Sequence, residues 1–126
     1  MNPTDLRYTK DHEWVRVDGD TATIGITGFA TDQLGDIVYV EMPATGTSLA
    51  QGATFGVVES VKAVSDLFAP ISGEVVQTND ALSSQPELVN QEPYGTGWML
   101  KVKVADPSEL DGLLDAAAYD ALNAEA

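Results

Sequence analysis

The sequence predicts a mainly β fold, a small sandwich or barrel of short antiparallel strands with short helices chiefly at the C-terminal end. Three observations carry this. Apolar, β-branched and aromatic runs recur between residues 12 and 104. Clusters of Gly, Pro, Asn and Asp separate them at regular intervals. Ala-rich helical periodicity is concentrated in the tail.

The elements follow in order. His12-Glu13-Trp14-Val15-Arg16-Val17 alternates and predicts a strand. Asp18-Gly19-Asp20 turns the chain, Asp-Gly being a strong hairpin signal, and residues 21–26 return. Residues 29–34 suit a short helix that Gly35 can end. Residues 37–41 are β-branched and aromatic and read as a strand. Pro43-Ala44-Thr45-Gly46 is a turn, the piece from Ser48 to Gln51 is short, and Gly52 breaks it. Strands are expected over 55–60 and 64–69, with Val61-Lys62-Ala63 between them. Pro70-Ile71-Ser72-Gly73 turns into a strand over 74–77, and Asn79-Asp80 turns again. The two Pro-x-x-Gly turns suit a pseudo-two-fold sandwich whose halves meet around a central hairpin with its tip near Lys62. Residues 86–89 suit one helical turn, 94–97 a loop, and 98–104 a strand with one solvated face. In the tail, Ser108 with Asp111 resembles a capping box, and Leu110, Leu113 and Leu114 share one face. Asp115 is expected to cap a helix over 116–122, with Tyr119 and Leu122 facing inward.

The 126 residues suit a single domain over 1–126, with a core over about 8–104 and a helical segment over about 108–124. Cysteine is absent, so there is no disulfide framework and no thiolate for chemistry. His12 is the one histidine, which argues against a zinc site and against a Ser/His/Asp constellation. No basic stretch followed by an apolar run opens the sequence, and no stretch approaches the ~20 apolar residues of a membrane span. A cytoplasmic protein is expected. The formal charge of −14 argues against nucleic acid and anionic membranes as partners. It serves solubility first, and complementarity to basic enzyme surfaces second. Monomer is the default state.

Charge is unevenly placed. Between Val17 and Leu100 the only cation is Lys62, among eleven acidic residues. Two apolar strands flank it, so a tight hairpin would hold its ammonium in water at the tip, where an enzyme could acylate it. Position alone favours the plainer reading, a solubilising turn lysine. Trp14, Tyr39 and Trp98 read as core or cleft-wall residues. Gly56 and Gly73 read as positions of close backbone approach.

The residues around the tip resolve that choice. Phe55-Gly56-Val57-Val58-Glu59-Ser60-Val61-Lys62-Ala63-Val64-Ser65-Asp66 resembles the lipoylation hairpin of glycine cleavage H-proteins. Glu59 lies three residues before the lysine and Gly73 eleven after it, as in that family's attachment pattern. Biotin is disfavoured, because biotin carriers typically flank the lysine with Met, and here Val61 and Ala63 stand there. The resemblance runs through Tyr8-Thr9-Lys10-Asp11-His12-Glu13-Trp14-Val15, Leu34-Gly35-Asp36-Ile37-Val38, Pro86-Glu87-Leu88-Val89-Asn90 and Pro93-Tyr94-Gly95-Thr96-Gly97-Trp98. Gly28 stands where the family commonly has Asp, and Gln33 where some members have His.

The resemblance implies a barrel-sandwich hybrid of two antiparallel sheets, of the lipoyl/biotinyl-carrier type. It implies a carrier rather than an enzyme, with lipoate joined to Lys62 as an amide and Glu59 and Gly73 serving recognition by the lipoylating enzyme. That enzyme would be a lipoate ligase or a lipoyl/octanoyl transferase. Glycine decarboxylase (P-protein) would load an aminomethyl group on the lipoyl arm. Aminomethyltransferase (T-protein) would take the methylene group, and dihydrolipoamide dehydrogenase (L-protein) would reoxidise the dithiol. The loaded arm would fold into a cleft that includes Glu13, with Asp66 as a further contributor. The same hairpin would equally serve a relay that hands lipoate on to other proteins. The absence of cysteine agrees with a cofactor that brings its own sulfur.

Overall fold

The computed structural model describes residues 4–124. In chain order the elements are β1 (Arg7–Tyr8), β2 (Glu13–Asp18), β3 (Thr21–Ile26), α1 (Gly28–Leu34), β4 (Ile37–Glu41), β5 (Ser48–Leu49), β6 (Thr54–Ser60), β7 (Val64–Phe68) and β8 (Gly73–Thr78). Then come α2 (Ala81–Ser84), α3 (Leu88–Gln91), β9 (Leu100–Val104), a 3-10 helix (Pro107–Gly112) and α4 (Ala116–Ala124).

The strands form two antiparallel sheets. The larger runs β1-β2-β3-β9-β8-β5 and the smaller β4-β6-β7. Alternation decides which side chains go inside. Val15, Ile24, Val75 and Val102 of the larger sheet meet Val40, Val58 and Leu67 of the smaller in one buried cluster. The two Pro-x-x-Gly turns occupy corresponding places between the sheets. Each carries the chain from the smaller sheet to the larger, into β5 and β8, which pair with each other.

Turn chemistry explains the accuracy of most boundaries. Gly19 has φ +67 in the two-residue loop that joins Asp18 to Thr21. Gly35 has φ +81 and stops α1, donating its amide to the Thr31 carbonyl. Gly56 and Gly73 are indeed places of close approach: a Cβ on them would run into the carbonyl oxygens of Glu41 and Lys103.

The structure corrects several details. α2 was not expected, and the helical turn near Pro86 lies later, at α3. The tail's first cap is Asp106, whose carboxylate accepts the Ser108 amide at 3.0 Å, so Ser108 is not the cap. Asp115 does cap α4, accepting the Ala118 amide at 2.8 Å. Tyr119 is fully buried and stacks on Tyr8 at 4.7 Å, but Leu122 is 45% exposed. The buried residues of α4 are Ala116 and Tyr119, while Leu122 borders an open cavity that Tyr8, Glu13 and Phe68 also line, which leaves it partly in solvent. Of the two places expected for Tyr39, core or cleft wall, it is not in the core but on the wall of a surface pocket beside Glu41 and Pro43. It lies 49% exposed on the outer face of the smaller sheet, opposite Glu59.

Gly56→Ala is expected to lower stability by about 1–3 kcal/mol, because the added methyl meets a backbone carbonyl inside a strand pair. Gly28→Ala should be neutral or stabilising by up to about 1 kcal/mol, through helix propensity, since its Cβ would meet nothing closer than the Tyr94 hydroxyl at 3.8 Å. Urea unfolding midpoints of the two variants check the contrast.

Candidate functional site

β6 and β7 meet at Lys62. Glu59 pairs with Val64, and the Ser60 amide donates to the Ala63 carbonyl at 2.8 Å, leaving Val61 and Lys62 as a two-residue tip. Sequence reading missed what closes this tip. The Ser60 hydroxyl accepts the Lys62 amide at 3.2 Å and the Ala63 amide at 3.0 Å. Serine at a turn start was the available signal. The tip is also docked sideways, with the Val61 amide donating to the Asp36 carbonyl at 3.1 Å. Lys62 is exposed, and Val61 and Val64 beside it are 69% and 66% exposed.

Glu59 is half-buried on the outer face of the smaller sheet, between Tyr39 and Val64. Gly73 is buried in the other sheet, paired with Leu49 and Val104. The structure thus leaves Glu59 accessible beside the lysine and gives Gly73 a packing reason.

A cleft of about 380 Å³ opens between α1 and β7, lined by Phe29, Leu34 and Leu67 and by polar His12, Gln33 and Asp66. Its α1 wall ends next to Gly35, against which Lys62 Cε leans. Glu13 faces a neighbouring cavity of about 420 Å³, beside Phe68 and Pro70. Asp11 lines both. Glu13 and Asp66 therefore border adjoining spaces rather than one.

Glu13 is the one charged side chain buried among the described residues. It accepts the Thr9 hydroxyl at 2.6 Å and the Phe68 amide at 3.2 Å. The Thr9 oxygen itself accepts the amides of Asp11 and Glu13, so its proton is committed to the carboxylate. Burial nevertheless pushes the Glu13 carboxyl up to about 7, against the downward pull of these donors.

His12 takes φ +73, a conformation uncommon for a side-chain-bearing residue. Its carbonyl accepts the Thr27 amide, and its Nδ1 lies 2.7 Å from the Tyr119 hydroxyl. That hydroxyl also lies 2.6 Å from Thr27 Oγ1. Burial lowers the His12 pKa. The residue braces the cleft wall. Among the described residues no group of His, Asp and Glu could hold a metal ion.

The sequence profile of the family described as glycine cleavage H-protein matches residues 6–126. The chain belongs to the glycine cleavage H-protein family. It is 60% identical over 123 residues to a glycine cleavage system H protein of Symbiobacterium thermophilum, covering 98% of this chain and 96% of that one. It is 61% identical over 117 residues to a probable glycine cleavage system H protein of Haloarcula marismortui, covering 93% and 92%. A crystal structure of a glycine cleavage system H protein from Mycobacterium marinum superposes with a TM-score of 0.91 at 39% identity, covering 98% and 99%. The chain is accordingly a carrier component of glycine cleavage and not an enzyme. Covalent lipoyl-lysine supplies its chemistry, bearing an aminomethyl group among the P-, T- and L-proteins.

Glu13 should titrate with a midpoint of about 7 by carboxyl-observed NMR, and Thr9→Val should raise it further. A midpoint near the ordinary 4.5 would contradict the desolvation argument. The sign for stability follows. The unfolded chain releases this proton near 4.5 and the folded chain near 7, so Glu13's contribution falls as pH rises across that window and is constant above it.

Proposed function

We propose that Lys62 is the lipoyl attachment residue and that the cleft between α1 and β7 receives the arm. The observation that carries this is an exposed lysine fixed at a two-residue tip, next to a cleft with an apolar wall. The fit is chemical as well as spatial. Acylation removes the ammonium charge and leaves an extended, largely apolar chain, which suits Phe29, Leu34 and Leu67. Asp66 and Asp11 supply negative charge at the polar side of that cleft, suited to an amine carried into it. Glu13 adds a carboxylate next door that an approaching ammonium would favour in its charged form.

Glu59 marks the hairpin for a lipoate ligase or a lipoyl/octanoyl transferase, and Gly73 serves that recognition indirectly by keeping the sheets in close register. Support for Glu59 is its place on the open face next to Lys62. The chain acts as a single lipoyl-carrier domain over 1–126, with the tail from 108 to 124 as a brace. Tyr119 supports the brace by tying α4 to His12 and Thr27. The carrier works as a cytoplasmic monomer with the P-, T- and L-proteins. No helix among the described residues is long and apolar enough to cross a membrane.

Glycine-dependent carbon dioxide release with purified P-protein tests the assignment. The lipoylated protein should support it, and Lys62→Arg, treated identically, should not. The exposed substitution should change stability by less than about 0.5 kcal/mol. Glu59→Ala should slow lipoylation about tenfold, the scale of one lost contact to a charged group. Full activity of Lys62→Arg would overturn the assignment.

A further inference from the structure

On α3, away from the hairpin in sequence, Asn90 has its carboxamide bonded at both ends. Oδ1 accepts the Ile37 amide at 2.8 Å, and Nδ2 donates to the Gly35 carbonyl at 2.9 Å. One side chain therefore spans the turn between α1 and β4, matching donor to acceptor at each end. Between these anchors stands Asp36, whose carbonyl accepts the Val61 amide at 3.1 Å. Gly35 packs beneath the same tip. The position a Cβ would take there lies 3.5 Å from Lys62 Cε and 3.9 Å from Val61 Cγ2.

Asn90 is itself held in place. Val89 beside it is fully buried in the core. The 94–97 loop closes on α3 so tightly that a Cβ on Gly97 would come 2.5 Å from the Leu88 carbonyl oxygen and 2.9 Å from Val89 Cα. That loop and the residue before it are fastened to β2 and to the residue that follows β8. Trp14 Nε1 donates to the Pro93 carbonyl at 2.9 Å, and Asn79 Nδ2 donates to the Thr96 carbonyl at 2.8 Å. An unbroken series of bonds and contacts thus runs from the larger sheet to the hairpin tip.

We propose that Asn90 is a positioning residue for Lys62. It holds the 35–37 turn as a shelf on which the Val61–Lys62 tip is docked, so that the lysine is presented in one place to the enzyme that acylates it. This rests on Lys62 being the attachment residue. The bland competitor is that Asn90 only adds stability to its own turn.

Two measurements separate these, on the full chain in its unmodified form. One is hydrogen exchange of the Val61 amide by NMR, and the other is the KM and kcat of a lipoate ligase acting on the protein. The variants are Asn90→Ala, Asn90→Asp and, as a remote core control, Val102→Ala. Asn90→Ala should speed Val61 exchange about tenfold through local opening. It should raise the ligase KM by a similar factor while leaving kcat nearly unchanged. Asn90→Asp keeps the acceptor for Ile37 but sets a carboxylate oxygen against the Gly35 carbonyl, so it should speed Val61 exchange and raise KM at least as much as Asn90→Ala. Val102→Ala should change exchange broadly without singling out Val61. The proposal is overturned if Val61 exchange and KM in the Asn90 variants move no more than in Val102→Ala. Should Asn90→Ala fail to fold, Asn90→Asp decides by the same readings. Exchange at Val61 needs no lipoate, so a loosened tip on a protein that is never lipoylated would refute the attachment assignment alone.

Discussion

The two-residue turn that carries Lys62 is bonded within itself before any partner touches it. The Ser60 amide and hydroxyl together engage the Ala63 carbonyl and the amides of Lys62 and Ala63. β6 and β7 then lead straight back into the core through Val58 and Leu67. A lysine on a loose loop would sweep a wide volume, diluting any group attached to it. Here the pivot is fixed, and motion is left to the side chain and to whatever group is joined to it. The rest of the molecule reads as support for that pivot: α1 ends beside it, β4 pairs with its strand, and α3 braces the turn between them.

Electrostatics follow the same division. Glu41, Glu59 and Asp66 belong to the sheet that carries the tip, and Asp36 lies beside it. Arg16, Lys101 and Lys103 lie on strands of the other sheet, where Arg16 and Lys101 both pair with Thr23 and Lys103 pairs with Thr21. Acylating Lys62 removes the one cation between Val17 and Leu100, which sharpens this asymmetry. A basic enzyme surface would meet the hairpin side first. Inside, Glu13 shows the opposite economy. Its carboxylate is buried at the cost of a raised pKa, and two donors aimed at it keep the charged form accessible near neutrality.

Most of the fold was legible because turn chemistry is local. Gly19, Gly35 and Gly46 take positive φ where turns were expected, and the strands between them follow. The lysine hairpin was legible for the same reason. What the sequence did not reveal depends on distant partners. Asn90 bonds residues 53 and 55 positions away, and nothing in its neighbourhood announces them. The inward placing of Leu122 rested on helical period alone, which cannot say whether the space beneath a helix is filled or, as here, an open cavity. The Ser108 cap lost to Asp106 because both are good caps and the chain turned two residues earlier. Glu13 and Asp66 border adjoining cavities, but which cavity each one lines depends on α1 and Phe68, not on spacing in the chain.

The measurement that bears most directly on the account is peptide mass spectrometry of the protein produced with lipoate and an active ligase. The account requires a single lipoyl increment on the peptide that contains Lys62, with Lys10, Lys101 and Lys103 bare. A bare Lys62 under conditions that modify a control lipoyl domain, or an increment on another lysine, would contradict it.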